Sequence, residues 1–573
     1  MLTARQAQNG SVLCLALASL GLWTYTALHP KDMTPFLAHG SYYAMFTLVL
    51  AWVYTLVKYL EARAFSAAAF LRQSFAGLLF CLVATLFIYF SVKPSFKTLG
   101  DETNLLSTSH AMVFGKKGVN ELLAVRSFGN FDAFATAIDQ RPFLFPFLVS
   151  LLHTVRGYGA ANAFLLNAGL MFLSFAAVYL CARRSFNASI SAAAVFLVAS
   201  YPIFSISGTS GGFDLLACFC LGLSMIVLYA FLQNPAGDTF GLLWVTLLLL
   251  ANTRYESFIF FFVILGLLGG RRRVKGEFIK DNRVLIAMTP LWFLIIVWSR
   301  LVNSDFINDT GARHIFGLSS LRANLMDMLT WQLDFRFLLP FNNILNLLSF
   351  ALLLYLFVVG VLERQAFQKP TQRLMAFMVC VAIGLDLIIV LSHYAGAYAS
   401  HTNARYYLPF SVACALVPLF WLETVSEETR SALSTPLLLG SIALFALYHP
   451  IAVEGRFINQ LGPNLEIYFA HDYLEKTYPD KNVLVIAEWP TEYTALEYGA
   501  MSFYTANAAV PRVLAGLERH LYHDIIVVQQ IPFATQAPVP EEALSPAYAL
   551  ETVSEYETAE DRYIRISKVR LGS

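Results

Sequence analysis

The sequence predicts an all-α polytopic membrane bundle of about thirteen spans, followed by a small C-terminal α/β extracytoplasmic domain. Three observations predict it. Of 573 residues, 57% are hydrophobic and 13% charged, where a soluble domain carries about 25% charged residues. Apolar runs near the roughly 20 residues that cross a bilayer recur along the first 450 positions. Beyond residue 450 the pattern changes to short β-branched runs alternating with helical spacing, the mark of a small α/β unit.

The apolar runs fall at 11–28, 41–60, 74–92, 160–182, 189–206, 213–232, 239–253, 255–269, 284–302, 343–362, 374–394, 405–423 and 435–450. The first follows Arg5 and reads as an uncleaved anchor, because many spans follow it. Lys and Arg in short loops set the orientation. "GGRRRVKGEFIKDNR" at 269–283 is the strongest inside signal, and "CARRSFN" at 181–187, "LERQAFQKPTQR" at 362–373 and Lys58, Arg63 and Arg72 agree with it. That orientation leaves no room for "PFLFPFLVSLLHTV", 142–155, to cross. Its 14 residues, opening at Arg141–Pro142, suit an interfacial or re-entrant helix on the outer face. The N-terminus then lies in the cytoplasm. The loops at 93–141 and 303–342 and the tail at 451–573 lie outside.

In the tail, "NVLVIAEW" (482–489) and "DIIVVQQI" (524–531) read as buried strands, and "DRYIRISKV" (561–569) as a closing strand. Residues 464–478 and 511–523 carry helical spacing. A net charge of +1 gives no sign of a nucleic-acid partner. The seven cysteines, at 14, 81, 181, 218, 220, 380 and 414, all lie in apolar runs, with neither zinc spacing nor a disulfide framework. No glycine-rich phosphate loop is present.

Charge concentrates where the chain leaves the predicted membrane. Asp101 and Glu102 follow the third span. Asp214 opens a later span in "SISGTSGGFDLLACF" with no neutralising neighbour in sequence, and an acid entering a membrane segment has a partner or a task. Arg254 and Glu256 stand at the outward hairpin tip "NTRYESF", and His401 and Arg405 at the start of another span in "YASHTNARYYLPF". Each acid alone reads equally as a solvated loop group or a helix cap, and a lone interface His as structural. Two arginines with several acids at one face fit glycosyl transfer from a lipid-phosphate sugar. A carboxylate takes the acceptor hydroxyl's proton, cations hold the leaving phosphate, and the lipid tail lies in an apolar groove. Asp386, within "IGLDLIIV", reads as an acid that bonds between helices or lines a cavity.

These motifs, in this order, resemble the GT-C superfamily of membrane glycosyltransferases, most closely the branch of protein O-mannosyltransferases and lipid A aminoarabinose transferases. The carriers are "GDE" at 100–102, "RPFLFPFL" at 141–148 for a (K/R)PPLxxxL helix, Gly208, Thr209 and Asp214 for GTxxxxD, "NTRYES" for an LT(K/R) turn, and "RYYLP" at 405–409. Phe143 stands where the family has a second Pro, and Arg254 where it has Lys. The resemblance covers roughly residues 74–450 as a transmembrane catalytic domain with an outer loop at 93–159. Two extra spans, 1–73, precede it and the soluble domain, 451–573, follows. It implies Asp101 as general base and Glu102 as a neighbour that shapes it or, in metal-using members, binds a divalent metal. Asp214, Glu256, His401 and Arg141 would contact substrate, and Arg254 and Arg405 would bind the donor phosphate. The implied partners are a polyprenyl-phosphate sugar, an acceptor glycan, lipid or protein, and membrane lipids. The implied place is the periplasmic face of a bacterial inner membrane. A transporter or lipid flippase is the alternative, although no inverted repeat is visible. A non-catalytic scaffold in envelope assembly also fits the sequence.

Overall fold

The computed structural model describes the chain apart from residues 1–3, 30–31, 255, 271–272, 303–315, 334–340, 363–369, 395, 399–402, 455–461, 559–561 and 571–573. It forms two compact units. A helical unit comprises residues 1–95, 140–147 and 164–455, and an α/β unit comprises 96–139, 148–163 and 456–573. The grouping differs from a division at residue 450, because most of the first large loop belongs with the tail.

In the helical unit, seven helices among the described residues are long and apolar enough to cross a membrane, or eight if a bent pair is one span. Cys14–Thr26, Gly237–Ala251, Phe258–Gly270, Arg283–Ser299 and Asn343–Val358 are shorter apolar helices. Helices Met33–Glu61 and Ala67–Ser91 expose large apolar side chains, among them Tyr43, Phe75, Phe87 and Phe90, as a lipid-facing surface does. The segment expected to span at 189–206 is a bent pair of helices, Ala188–Ala199 and Pro202–Gly208, meeting at 80°. Pro202 is the cause. It has no N–H to continue the ladder and excludes Tyr201 from the helical region, so Tyr201 is extended (φ −86°, ψ 110°). Tyr201 Oη donates to Asn346 Oδ1 at 2.6 Å and Asn342 Nδ2 to Ser200 Oγ at 2.8 Å, so polar groups at the break are partnered. The apolar helix Leu144–Arg156 has 13 residues, roughly 20 Å at 1.5 Å each, too short for a 30 Å core.

The α/β unit holds one mixed sheet. Its strands are β1 (Val119–Ser127), β2 (Asn130–Ile138), β3 (Val483–Ile486), β4 (Gly499–Met501), β5 (Asp524–Pro532), β6 (Ala549–Glu557) and β7 (Arg562–Arg570), in the order β2-β1-β4-β3-β5-β7-β6. β3, β5 and β7 lie where the sequence places strands, and helices Gly462–Thr477 and Val510–Glu518 near the two expected. The hairpin β1–β2 falls in the segment that the sequence presents as an outer loop. It turns at Phe128 and Gly129, both with positive φ (49° and 81°), and joins the tail's sheet through Ala124 opposite Ala500. Gly499 permits this approach: a Cβ there would lie 2.8 Å from the Arg126 backbone nitrogen.

A buried charge cluster fixes the same junction. His110 Nδ1 lies 2.7 Å from Glu121 Oε2, and its Nε2 lies 3.7 Å from Glu497 Oε1. Lys481 Nζ is 3.2 Å from Glu497 Oε2, and Arg126 donates to the Glu497 carbonyl at 3.1 Å. Burial opposes the charged form of His110, but the two carboxylates outweigh it and raise its pKa from 6.5 to about 9. Burial likewise opposes ionisation of Glu497, yet His110 and Lys481 bring it from 4.5 down to about 2. The signs follow. Stabilisation through His110 is complete below pH 6.5 and is lost as pH rises through 9. That through Glu497 is present above pH 4.5 and is lost as pH falls through 2. The α/β unit should therefore melt at a lower temperature at pH 9.5 than at about pH 6, and His110→Gln should flatten that difference. Equal melting of wild type at both values would count against the cluster.

Candidate active site

Four of the residues singled out by sequence meet in the helical unit. Asp214 is the first residue of helix Asp214–Gln233, where a carboxylate suits the helix dipole. The turn before it is held by Asn167, whose Nδ2 donates to the Ser210 and Gly212 carbonyls, both at 2.8 Å. The Ser95 N–H donates to the Thr209 carbonyl at 3.2 Å, tying the end of the preceding loop to the same turn. Arg254 lies between helices Gly237–Ala251 and Phe258–Gly270. Its turn is closed by Asn252 Nδ2 to the Leu248 carbonyl and Thr253 Oγ1 to the Leu250 carbonyl. Arg405 lies in the 3-10 turn Ala404–Tyr407, fixed by Tyr407 Oη donating to the Gly396 carbonyl.

The Asp214 carboxylate joins both guanidinium groups. Oδ1 accepts from Arg254 at 2.5 Å, and Oδ2 lies 3.6 Å from Arg405. Arg254 Nε also pairs with Glu256 Oε1. Asp214, Arg254 and Arg405 are 6%, 8% and 7% exposed, so these charges compensate one another in a desolvated setting. The Tyr406 ring is near both cations, 4.7 Å from Arg254 Cζ and 5.3 Å from Arg405 Cζ. A cleft is lined by Asp214, Arg254, Arg405, Tyr406, Ser257 and Asp386. Glu256 Oε2 is buried and has no hydrogen-bond partner among the described residues, so it is an acceptor with capacity for a substrate hydroxyl. Asn167 and Tyr406 are additions to the sequence reading, and Asp386 lines this cleft, one of the two roles the sequence gives it.

The acidic pair belongs to the α/β unit. Asp101, half-buried, and Glu102, 2% exposed, begin helix Asp101–Gly115. Their environments differ. Glu102 Oε1 accepts from the Lys97 and Thr98 backbone N–H groups at 3.0 and 2.9 Å, so Glu102 organises the turn that presents Asp101. Gly100 caps the helix at φ 78°, a conformation suited to glycine. Arg141 is half-buried, ahead of helix Leu144–Arg156, in the helical unit. His401 lies outside the described residues. Among the described residues no three His, Cys, Asp or Glu side chains gather to hold a metal ion. With Glu102 Oε1 on backbone N–H groups, the described residues there offer no fitting ligand set for a divalent metal.

Glu102→Ala should destabilise the 97–102 turn by about 1–3 kcal/mol, because two inward N–H groups lose their acceptor. Glu102→Gln keeps an accepting oxygen and should cost less. Hydrogen exchange at Lys97 and Thr98 reads the difference, and equal protection in all three proteins would refute this role.

Residues 140–300 match the family model of dolichyl-phosphate-mannose-protein mannosyltransferases. That span includes Arg141, Asp214, Arg254 and Glu256. No curated protein matches the chain by sequence. Among solved structures, ArnT from Cupriavidus metallidurans bound to undecaprenyl phosphate superposes with a TM-score of 0.54 at 14% identity, over 86% of this chain and 98% of that one. Its apo state gives 0.51 at the same identity and coverage. The chain thus shares the fold of ArnT, and its residues 140–300 resemble the mannosyltransferase family model.

Proposed function

We propose that the protein is a glycosyltransferase that moves a sugar from a polyprenyl-phosphate donor to an acceptor hydroxyl at the periplasmic face of a bacterial inner membrane. The observation that carries this reading is the pair of buried guanidinium groups, Arg254 and Arg405, bracketed by Asp214 at the ends of apolar helices. A phosphate on a lipid needs cations that are desolvated and beside an apolar groove, and a guanidinium matches its oxygens two at a time. The ArnT fold, crystallised elsewhere with undecaprenyl phosphate, supports a lipid-linked donor.

In this account Asp101 takes the proton of the acceptor hydroxyl as its oxygen attacks the anomeric carbon. The bond from that carbon to the phosphate oxygen breaks, and its electron pair leaves on the polyprenyl phosphate. Arg254 and Arg405 stabilise the charge that accumulates there. Asp214, which contacts both, keeps the two arginines in register, and Glu256 Oε2 accepts a sugar hydroxyl. Arg141 completes the substrate contacts. Glu102 acts through the turn it holds. The chain in this account keeps the thirteen crossings that the apolar runs of the sequence suggest. With the Lys and Arg loops inside, the N-terminus is cytoplasmic and residues 451–573 are periplasmic.

Transfer by purified protein in detergent separates this reading from a transporter, since transport has no meaning without two compartments. Asp101→Asn should insert and fold normally yet lose about 10²–10⁴-fold in rate. Wild-type turnover in that variant would move the proton to another carboxylate. Absence of transfer by the wild type, given donor and envelope acceptors, would defeat the enzyme reading.

A further inference from the structure

The α/β unit exposes an aromatic edge that the reaction above leaves unused. β3 and β4 run parallel with Ile486 beside Met501. Three residues beyond these partners stand Trp489 and Tyr504, 58% and 84% exposed. Both therefore follow the carboxyl ends of neighbouring parallel strands, the edge at which open α/β sheets take ligands. β5, parallel to β3, continues past Val527, the partner of Ile486, as far as Pro532. The strand ends are thus stepped beside the loop that carries Glu488 and Trp489. Glu488 is exposed, so a carboxylate and an indole on consecutive residues both reach solvent.

This edge is tied to the turn of the acidic pair. The Trp489 carbonyl accepts from the Glu492 N–H at 3.1 Å at the start of the short helix Thr491–Thr494. Glu492 is 2% exposed, and a Cβ on Gly100 would stand 3.7 Å from its Oε1. Gly100 immediately precedes Asp101. A single turn of chain therefore links the exposed indole to the side chain lying against the Asp101 turn.

The chemistry of the edge selects its ligand. The flat apolar face of an aromatic ring packs against the C–H face of a sugar ring, and a carboxylate accepts its hydroxyls. Trp489, Tyr504 and Glu488 offer two aromatic rings and an acid, which suit a neutral hydroxylated ring better than a phosphate. We propose that Trp489, with Glu488 and Tyr504, is an acceptor subsite that stacks a sugar ring of a glycan-bearing acceptor and delivers its hydroxyl to Asp101. This rests on the glycosyl-transfer reading above.

The test uses the full-length protein in detergent with a polyprenyl-phosphate sugar. The acceptor probe is the glycolipid and polysaccharide fraction extracted from envelopes of cells lacking the gene. Trp489→Ala should raise the half-saturating acceptor concentration about tenfold and leave kcat and the donor KM unchanged. Trp489→Phe should restore most of the loss. Wild-type acceptor dependence in Trp489→Ala overturns the subsite while leaving the transfer reaction standing. An equal loss in Trp489→Phe, or a matching change in donor KM, makes Trp489 structural and also overturns it. Transfer only to the protein fraction of the same envelopes overturns it too. If the wild type transfers to no fraction, the reaction itself fails and the subsite with it.

Discussion

Two guanidinium groups buried at the ends of membrane helices impose the central constraint on this protein. An unpaired charge in a desolvated setting costs several kcal/mol, so the chain must bring carboxylates to Arg254 and Arg405 from elsewhere. Asp214 answers from a different helix and takes both, and Glu256 pairs with Arg254. Much of the surrounding architecture serves that meeting. The 80° break at Pro202 redirects the chain ahead of Asp214, Asn167 holds the turn between break and acid, and the Tyr407 hydroxyl secures the turn carrying Arg405. Removing one member leaves charge without a partner, which is why such a cluster keeps one geometry.

The α/β unit solves a different problem, that of presenting a half-buried acid from a loop. Asp101 stands at the first residue of its helix, directly after the turn at 97–100. Glu102 Oε1 accepts from two backbone N–H groups of that turn, and the loop's hairpin becomes part of a seven-stranded sheet with the tail. Thr494 Oγ1 donates to the Glu121 carbonyl at 2.7 Å, Tyr158 Oη to the Ala495 carbonyl at 2.5 Å, and the His110 cluster adds ion pairs. The tail is thereby a structural half of the unit that contains the acidic pair.

The helices were legible because an apolar run of membrane length has few other fates, and the charge cluster because charges at span ends are costly without purpose. Pro202 was legible as a residue, yet its 80° bend was not drawn, since a proline in an apolar run is compatible with a kink as well as a break. The hairpin β1–β2 escaped because "NELLAVRSFGNFDAFATAID" alternates weakly. Its strand partner, β4, has three residues and lies in the tail. No sequence pattern distinguishes Glu102, which faces backbone N–H groups, from Asp101, which does not share that pair. Likewise, pairing of His110 with Glu497 depends on tertiary contacts between segments remote in the chain.

The central claim is that Arg254 and Arg405 exist to hold a lipid-borne phosphate. Native mass spectrometry of the purified protein with undecaprenyl phosphate and with the uncharged polyprenol tests it most directly, because the two lipids share a tail and differ only in the headgroup. The account predicts that wild-type protein retains the phosphate lipid in preference to the alcohol, and that Arg254→Ala and Arg405→Ala abolish the preference without removing tail binding. Equal retention of both lipids by the wild type, or an undiminished preference in both variants, would contradict it.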